Sequence, residues 1–293
     1  MPSTWLITGS SSGFGLALVR YILSQGHNVI ATSRNPSKTP ELVEEITSTS
    51  GRGRWLALDV TWPKAEIEAV IEEAWTEFDG IDVLVNNAGY SVLGAAEEIP
   101  EDQAKAQFEV NFWGLVRTSQ AVLPRMRARG TGTIVNVSSI AGLDAIPTCA
   151  IYAGSKFAVE AWSESLSKEL QPVGLKVLVV EPGAFRTNFL TKDASQIVTP
   201  VAEPYRQEKG PVRAVLDKFR DYDGQQKGDP VKAAQRIFEA VVGAGMAGSV
   251  AEKGLLRLPL GPDCYARAVE STRLRMENLV ALKDVALSTD FSS

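Results

Sequence analysis

Histidine and cysteine are nearly missing from this chain of 293 residues, which holds one of the first and two of the second. His27 lies between Gly26 and Asn28 in what reads as a helix-to-strand turn, so neither a histidine-based triad nor a multi-histidine metal site is expected. No metal is assigned. Cys149 and Cys264 are far apart and give no disulfide framework, which makes a reducing compartment the expectation. An excess of basic charge is also lacking. A formal net charge of -5 and the absence of long basic runs argue against nucleic acid or an anionic membrane as partner. No apolar run approaches the ~18 residues of a spanning helix. The first strand is expected by Trp5, which leaves no room for a secretory leader, and a cytoplasmic location follows. Repeats and low-complexity segments are absent too.

What the chain does have is a hydrophobic fraction of 44%, enough for a core, arranged as short apolar runs alternating with amphipathic stretches. Strands are expected at Trp5–Thr8, Asn28–Thr32, Trp55–Leu58, Ile81–Val85, Thr133–Val137, Lys176–Val180 and Leu255–Leu260, the last an edge strand interrupted by Pro259. Helices are expected over 16–26, 41–49, 66–78, 100–129, 151–170, 230–242 and 263–282. Near-continuous apolar strands separated by such helices indicate an α/β fold with a doubly wound, mostly parallel sheet of about seven strands. The reading is one Rossmann-type domain over 1–293. Residues 187–229, polar and broken by Pro200, Pro204 and Pro211, read as a lid inserted over the substrate. Residues 254–293 read as a C-terminal extension packed on the same domain.

Several strand ends carry polar residues with two readings each. Thr8-Gly9-Ser10-Ser11-Ser12-Gly13-Phe14-Gly15 follows the first strand and opens a helix. Such a turn presents backbone N–H groups to a pyrophosphate, or serves only as a tight turn with close helix packing. Ser33-Arg34 ends the second strand, where an acid selects NAD and an arginine accommodates the 2′-phosphate of NADP. The plain alternative is a solvated arginine before a turn. Asp59, followed by Val60, either accepts from an adenine amino group or caps the helix near Pro63. Asn111 lies among apolar residues on a helix, where its amide needs partners or bonds its own backbone. Tyr152 and Lys156, four apart on a helix, share a face, and a nearby ammonium favours the phenolate.

Thr8-Gly9-x-x-x-Gly13-x-Gly15, Asp59, Asn86-Asn87-Ala88-Gly89, Asn111, Ser139, Tyr152-x-x-x-Lys156 and Pro182-Gly183 together resemble the short-chain dehydrogenase/reductase family, over roughly residues 3 to 245. Ser33-Arg34 makes the chain similar to its NADP-preferring hydroxysteroid and retinol-type members. The resemblance implies that Ser139 hydrogen-bonds the substrate oxygen and that Tyr152 is the general acid or base. It implies that Lys156 binds the nicotinamide ribose and lowers the tyrosine pKa, and that Asn111 binds a water on the proton path. NADP(H), in preference to NAD(H), is the implied cofactor. Its expected contacts are Thr8, Gly9, Ser11, Ser12, Gly13, Phe14, Gly15, Ser33, Arg34, Asp59 and Val60. Asn87, Ala88, Gly89, Tyr152, Lys156, Pro182, Gly183 and Thr187 complete the set, with Thr187 on the carboxamide.

The expected activity is interconversion of a carbonyl and an alcohol on a small molecule. Tyr90, Leu143, Ile146, Cys149, Phe185 and Phe189 are the residues expected to face it, or else they are ordinary core. Being mostly apolar, they suit a moderately hydrophobic ketone or aldehyde. Two alternatives are a redox-neutral epimerase or dehydratase with held cofactor, and a nucleotide-sensing protein without catalysis. Family members commonly pair through two long helices, here around Trp113 and Trp162, which makes a homodimer or homotetramer the expected assembly.

Overall fold

Strand β1 (Thr4–Ile7) turns Trp5 and Ile7 to one face of a sheet and Leu6 to the other, and all three are fully buried. Extended backbone repeats every two residues, so a strand covered on both faces must be apolar at every position. The protein, a computed structural model described over residues 2–49, 51–191 and 194–291, repeats this burial in the other central strands of the sheet and loosens it at the sheet edges. The other strands are β2 (Asn28–Ser33), β3 (Gly53–Ala57), β4 (Val83–Asn86), β5 (Ser91–Leu93), β6 (Thr133–Val137), β7 (Lys176–Pro182), β8 (Ser195–Ile197) and β9 (Arg257–Leu260). Seven of them form one parallel sheet in the order β3-β2-β1-β4-β6-β7-β9. The expected doubly wound fold is the one observed.

In chain order the helices are α1 (Gly13–Ser24), α2 (Pro40–Thr47), α3 (Lys64–Glu77), α4 (Glu101–Phe108), α5 (Leu115–Arg129) and α6 (Ala150–Leu170). They continue as α7 (Glu203–Arg206), α8 (Pro211–Tyr222), α9 (Pro230–Val242), α10 (Gly248–Glu252), α11 (Pro262–Ala281) and α12 (Lys283–Leu287). Leu18 and Ile22 of α1 and Ala234 and Ile237 of α9 cover one face of the sheet. Ile67 and Ile71 of α3, Val122 and Met126 of α5, and Leu166 and Leu170 of α6 cover the other. The chain builds outward from β1 to β3, then crosses back to β4. That reversal opens a crevice at the carboxyl ends of β1 and β4, where α/β sheets take their ligands. Among the described residues no helix is long and apolar enough to cross a membrane, and no group of His, Cys, Asp and Glu could hold a metal ion.

Three expectations need correction. The helix expected over 100–129 is two helices, α4 and α5, joined by a π-helical segment, Glu109–Gly114. The widened turn holds Asn111, whose amide bonds Tyr90 and Ser155 and not its own backbone. The segment 187–229 is not one long loop, because it contains β8, α7 and α8. Strand β8 pairs in parallel with β5, and three-residue strands are too short to show a period. Pro259 does not interrupt β9: it stands opposite Glu181 in the edge strand, where a missing N–H is tolerated.

A polar network lies buried between β4, β6 and the helices. Asn86 and Asn136 are register partners, and Asn86 Nδ2 donates to Asn136 Oδ1 (2.9 Å) and Ser119 Oγ (2.8 Å). Thr118 Oγ1 donates to Asn86 Oδ1 (2.6 Å), and Asn136 Nδ2 donates to Ser163 Oγ (2.8 Å). Substituting Asn136→Ala strands these partners in a dry interior. Urea unfolding of this variant should show a loss of about 2–3 kcal/mol, the usual range for unpaired buried polar groups. A loss below about 0.5 kcal/mol, typical of a surface change, would show that the network adds no stability.

Candidate active site

The turn after β1 is pressed against the end of β4. Gly9 has φ +69°, and a Cβ there would lie 2.9 Å from Ala88 Cα. A Cβ on Gly15 would lie 2.3 Å from Gly9 O, so both positions require glycine. Thr8 Oγ1 accepts from the backbone N–H groups of Asn87 (3.0 Å) and Ala88 (3.1 Å), and Asn87 Nδ2 donates to Thr8 O and Gly9 O. Thr8 and Asn87 therefore lock the turn to the neighbouring strand. Ser12, at the N-cap of α1, makes no side-chain cap, and the first turn carries no acidic residue. A cleft of ≈490 Å³ runs from Ser11, Ser12 and Gly13 along the flank of α1 (Leu16, Arg20, Ser24), bounded by Arg186 and Thr187 and by the start of α9 at Pro230. An anion fits such a helix start. Phe14 packs edge-on against Phe185, with ring centroids 5.0 Å apart.

The side of the crevice under β2 and β3 holds Ser33, Arg34, Asp59 and Val60. Ser33 Oγ accepts from Trp55 Nε1 (3.0 Å), while Arg34 is exposed at the strand end. Asp59 Oδ1 accepts from Thr61 N and Thr61 Oγ1, shaping its own turn. The cap position of α3 falls to Pro63, so the capping role considered for Asp59 does not hold. Val60 is buried where Gly114 leaves room, since a Cβ on that glycine would approach Val60 Cγ2 to 2.7 Å.

Tyr152 and Lys156 point from α6 into the floor of the crevice. Lys156 Nζ donates to Val137 O at the end of β6 (2.8 Å) and lies 5.9 Å from the centre of the Tyr152 ring. Ser139, just beyond β6, caps a short 3-10 turn by accepting from Ala141 N (3.1 Å). A Cβ on Gly89 would meet Asn111 Oδ1 at 3.2 Å and Lys156 Nζ at 3.7 Å, which brings the end of β4 and the π-helical segment to the same point. Asn111 Oδ1 accepts from Tyr90 N, and its Nδ2 donates to Tyr90 O and Ser155 Oγ, so its side chain is fully engaged. Burial drives the Tyr152 phenol well above its ordinary value, against a hydrogen bond from Ser139. Burial also pushes Lys156 down to about 8, while Glu160 pulls it up. A lowering of Tyr152 by Lys156 is therefore not seen: burial dominates, and the opposing contribution comes from Ser139.

Comparison with known proteins agrees with this geometry. Residues 3–197 match the family model described as short chain dehydrogenase. The chain belongs to the short-chain dehydrogenase family. It is 37% identical over 270 residues to Oxidoreductase BOA17 of Botryotinia fuckeliana, covering 92% of each chain. It is 43% identical over 188 residues to 3-ketodihydrosphingosine reductase of Bacteroides thetaiotaomicron, covering 64% of this chain and 66% of that one. A solved short-chain dehydrogenase from Streptomyces avermitilis superposes over 99% of both chains with a TM-score of 0.86 and 35% identity. Solved structures of similar fold hold NAD or NADP. The protein is accordingly an oxidoreductase of this family.

The residues expected to face the substrate of this dehydrogenase fall into separate places. Phe189 packs on Tyr152 with ring centroids 5.6 Å apart. Ile146 and Cys149 pack with Val212 and Leu216 of α8, and Cys149 is only 4% exposed, which places it in the core. Pro182 ends β7 with Gly183 directly after it, and Gly13 faces Thr187 across the cleft, with 3.5 Å between the position of a Cβ and Thr187 Cβ. The sequence reading missed the part of α11. Asp263 Oδ2 accepts from Ala184 N (2.7 Å), and Arg267 donates to Asp144 Oδ2 (2.7 Å) and Asp144 O (2.9 Å). Ser271 and Arg275 both donate to Leu143 O. One helix thereby fixes the loops after β6 and β7.

A lysine with a folded-state pKa near 8 binds fewer protons than its unfolded form up to pH ~10.5. The unfolded state holds the extra proton, so the contribution of Lys156 to stability rises with pH across that window. The unfolding free energy of the protein minus that of Lys156→Met should rise by about 3 kcal/mol between pH 7 and the upper end of that window. A difference that stays flat with pH would show that Lys156 is not held near 8.

Proposed function

We propose that the protein is an NADP(H)-dependent oxidoreductase that interconverts a ketone or aldehyde with an alcohol on a moderately hydrophobic small molecule. The observation that carries this reading is the position of Lys156 Nζ between Val137 O, the Tyr152 ring and the end of β4 at Gly89, with Ser139 hydrogen-bonded to Tyr152. The residues suit a dinucleotide. The open N-terminus of α1 and the turn from Gly9 to Gly15 take the pyrophosphate, Arg34 with Ser33 takes the 2′-phosphate, and Asp59 and Val60 border the adenine. Ala88, Gly89, Lys156, Pro182, Gly183 and Thr187 border the nicotinamide end. When bound, the cofactor supplies or accepts the hydride.

The remaining chemistry belongs to side chains. Ser139 donates a hydrogen bond to the substrate oxygen. Tyr152 gives that oxygen its phenolic proton during reduction and takes it back during oxidation. A phenol kept protonated by burial is suited to the acid role at neutral pH. Lys156 orients the ribose and places positive charge beside the phenol, and Asn111 holds the backbone of Tyr90 at the edge of the site. The segment 187–229 acts as the lid: Phe189 covers Tyr152, and α8 packs on Ile146 and Cys149. This apolar cover suits an apolar substrate, and the similarity to a 3-ketodihydrosphingosine reductase supports a hydrophobic ketone.

Tyr152→Phe should lower kcat for NADPH oxidation across a panel of ketones and aldehydes by about 10²–10⁴, the usual worth of general acid catalysis, with cofactor affinity nearly unchanged. Retention of substantial turnover would refute the assigned role. NADPH should bind more tightly than NADH by roughly ten- to hundredfold, the worth of a charge-assisted bond, and Arg34→Ala should remove most of that gap. Equal affinity for the two cofactors in the unaltered protein would overturn the NADP assignment.

A further inference from the structure

Helix α6 carries a polar residue at every fourth position, Tyr152, Lys156, Glu160 and Glu164, and residues at this spacing share a face. The first two belong to the site. Glu160 lies one turn below Lys156 and is 5% exposed. Its Oε2 accepts from Arg257 Nε (3.0 Å), a residue brought by the edge strand β9. Arg257 also reaches Glu164 Oε2 (3.1 Å) and Glu181 Oε1 of β7 (3.4 Å), and Glu181 is 2% exposed. Three carboxylates thus share one guanidinium, and two of them are buried. Lys168 pairs with the outermost of the three, Glu164 Oε1 (2.9 Å), while Lys156 lies one turn up the helix from Glu160, with Val137 O as the acceptor of its Nζ. Glu160 Oε1 is buried without a hydrogen-bond partner, and so is Ser138 Oγ. A Cβ on Gly142 would lie 2.7 Å from Ser138 Oγ and 3.1 Å from Glu160 Cγ, so the space between these groups is closed.

We propose that Glu160 is a positioning residue for Lys156: its carboxylate, pinned by Arg257, is the counter-charge that keeps the buried lysine an ammonium under Tyr152. The inference deepens the reading of the site given above and rests on it for the catalytic use of Lys156. Charge balance supports it. Lys168 serves the outer Glu164, so Arg257 is left to face the two buried carboxyls, Glu160 and Glu181, and the ammonium one turn above Glu160 supplies a second positive charge to that pair. The groups facing Glu160 are Lys156 and Glu164 on its own helix, Arg257 from β9, Glu181 from β7 and Ser138 after β6. Cys264 of α11, which donates to Glu181 O, borders the far side. Burial raises the Glu160 carboxyl above its ordinary value, and Ser138, Arg257 and Lys156 each pull it back toward the ionised form. Glu160 in turn raises the affinity of Lys156 for its proton.

The test is a pH titration of the full chain labelled with [ε-13C]lysine, with the Lys156 signal assigned by its loss in Lys156→Arg. The midpoint is expected near 8 in the unaltered protein. Glu160→Gln should lower it by about one unit, the effect of removing one nearby opposite charge, and Glu160→Asp should lower it less. A midpoint unmoved in folded Glu160→Gln overturns the proposal. If that variant does not fold, the Glu160 carboxyl signal of the unaltered protein decides the matter. It should report an ionised group wherever Lys156 holds its proton, and a Glu160 still protonated up to the Lys156 midpoint overturns the proposal. Neither measurement needs turnover. A protein that reduces no carbonyl compound but shows the shift refutes the proposed activity and leaves the Glu160 assignment standing.

Discussion

Taking an ammonium out of water costs several kcal/mol unless other groups of the protein replace its hydration. Lys156 is 5% exposed, so the architecture around it has to meet that cost. The end of β6 supplies the carbonyl of Val137, and α6 supplies Tyr152 above and Glu160 below. Glycine at position 89 keeps the end of β4 close to Nζ. The π-helical segment lets Asn111 bond Tyr90 on both its N–H and its C=O, which fixes the chain leaving β4. Each of these pieces comes from a different part of the sequence, and the parallel sheet brings them together because its strands all end on the same side.

The last strand and the helix after it belong to this arrangement as much as the glycine-rich turn does. Strand β9 pairs with β7 and so delivers Arg257 to Glu160, Glu164 and Glu181. Helix α11 then runs over the loops that follow β6 and β7. It holds Ala184 through Asp263, and Leu143 and Asp144 through Arg267, Ser271 and Arg275. Loops usually owe their shape to local turns, but here a helix 79 residues beyond the β7 loop and more than 120 beyond the β6 loop supplies the hydrogen bonds. Geometry at Ser139 therefore depends on residues that no short motif contains.

The fold was readable because a fully buried strand is apolar at every position. Trp5–Ile7 and Val83–Val85 could hardly be anything else, and Gly9 and Gly15 marked the close approach of two chain segments. What escaped the reading shares a cause. Strands β5 and β8 are three residues each and pair across about a hundred positions, so neither carries a period of its own. Asn86 stood in the motif read from the sequence, but its pairing with Asn136 emerges only from strand register. Nothing in their local sequence marks Glu160 and Glu181 as buried, and both are paired by Arg257 from β9. Asn111 did signal itself, as a lone amide among aromatic side chains, but its true partner is the backbone of Tyr90. Electrostatics were the least readable of all, because proximity of a lysine suggested a lowered phenol pKa and burial reverses the sign.

That reversal bears on how the site divides its labour. Burial moves Tyr152 and Lys156 in opposite directions, the phenol upward and the ammonium down to about 8, and so narrows the charge the pair can carry together. In the proposed acid role Tyr152 would have to hold its proton until the substrate oxygen develops charge, and the apolar cover of Ala141, Ala153 and Phe189 favours this. The lysine has the opposite need, since its value to the phenol lies in staying charged. A cover that suits the tyrosine therefore works against the lysine. The conflict is resolved if the two residues see different surroundings despite sharing one helix face. Tyr152 looks outward to Phe189, whereas Lys156 looks inward to Val137 O and down the helix to Glu160. One turn of α6 is enough to separate an apolar environment from a charged one.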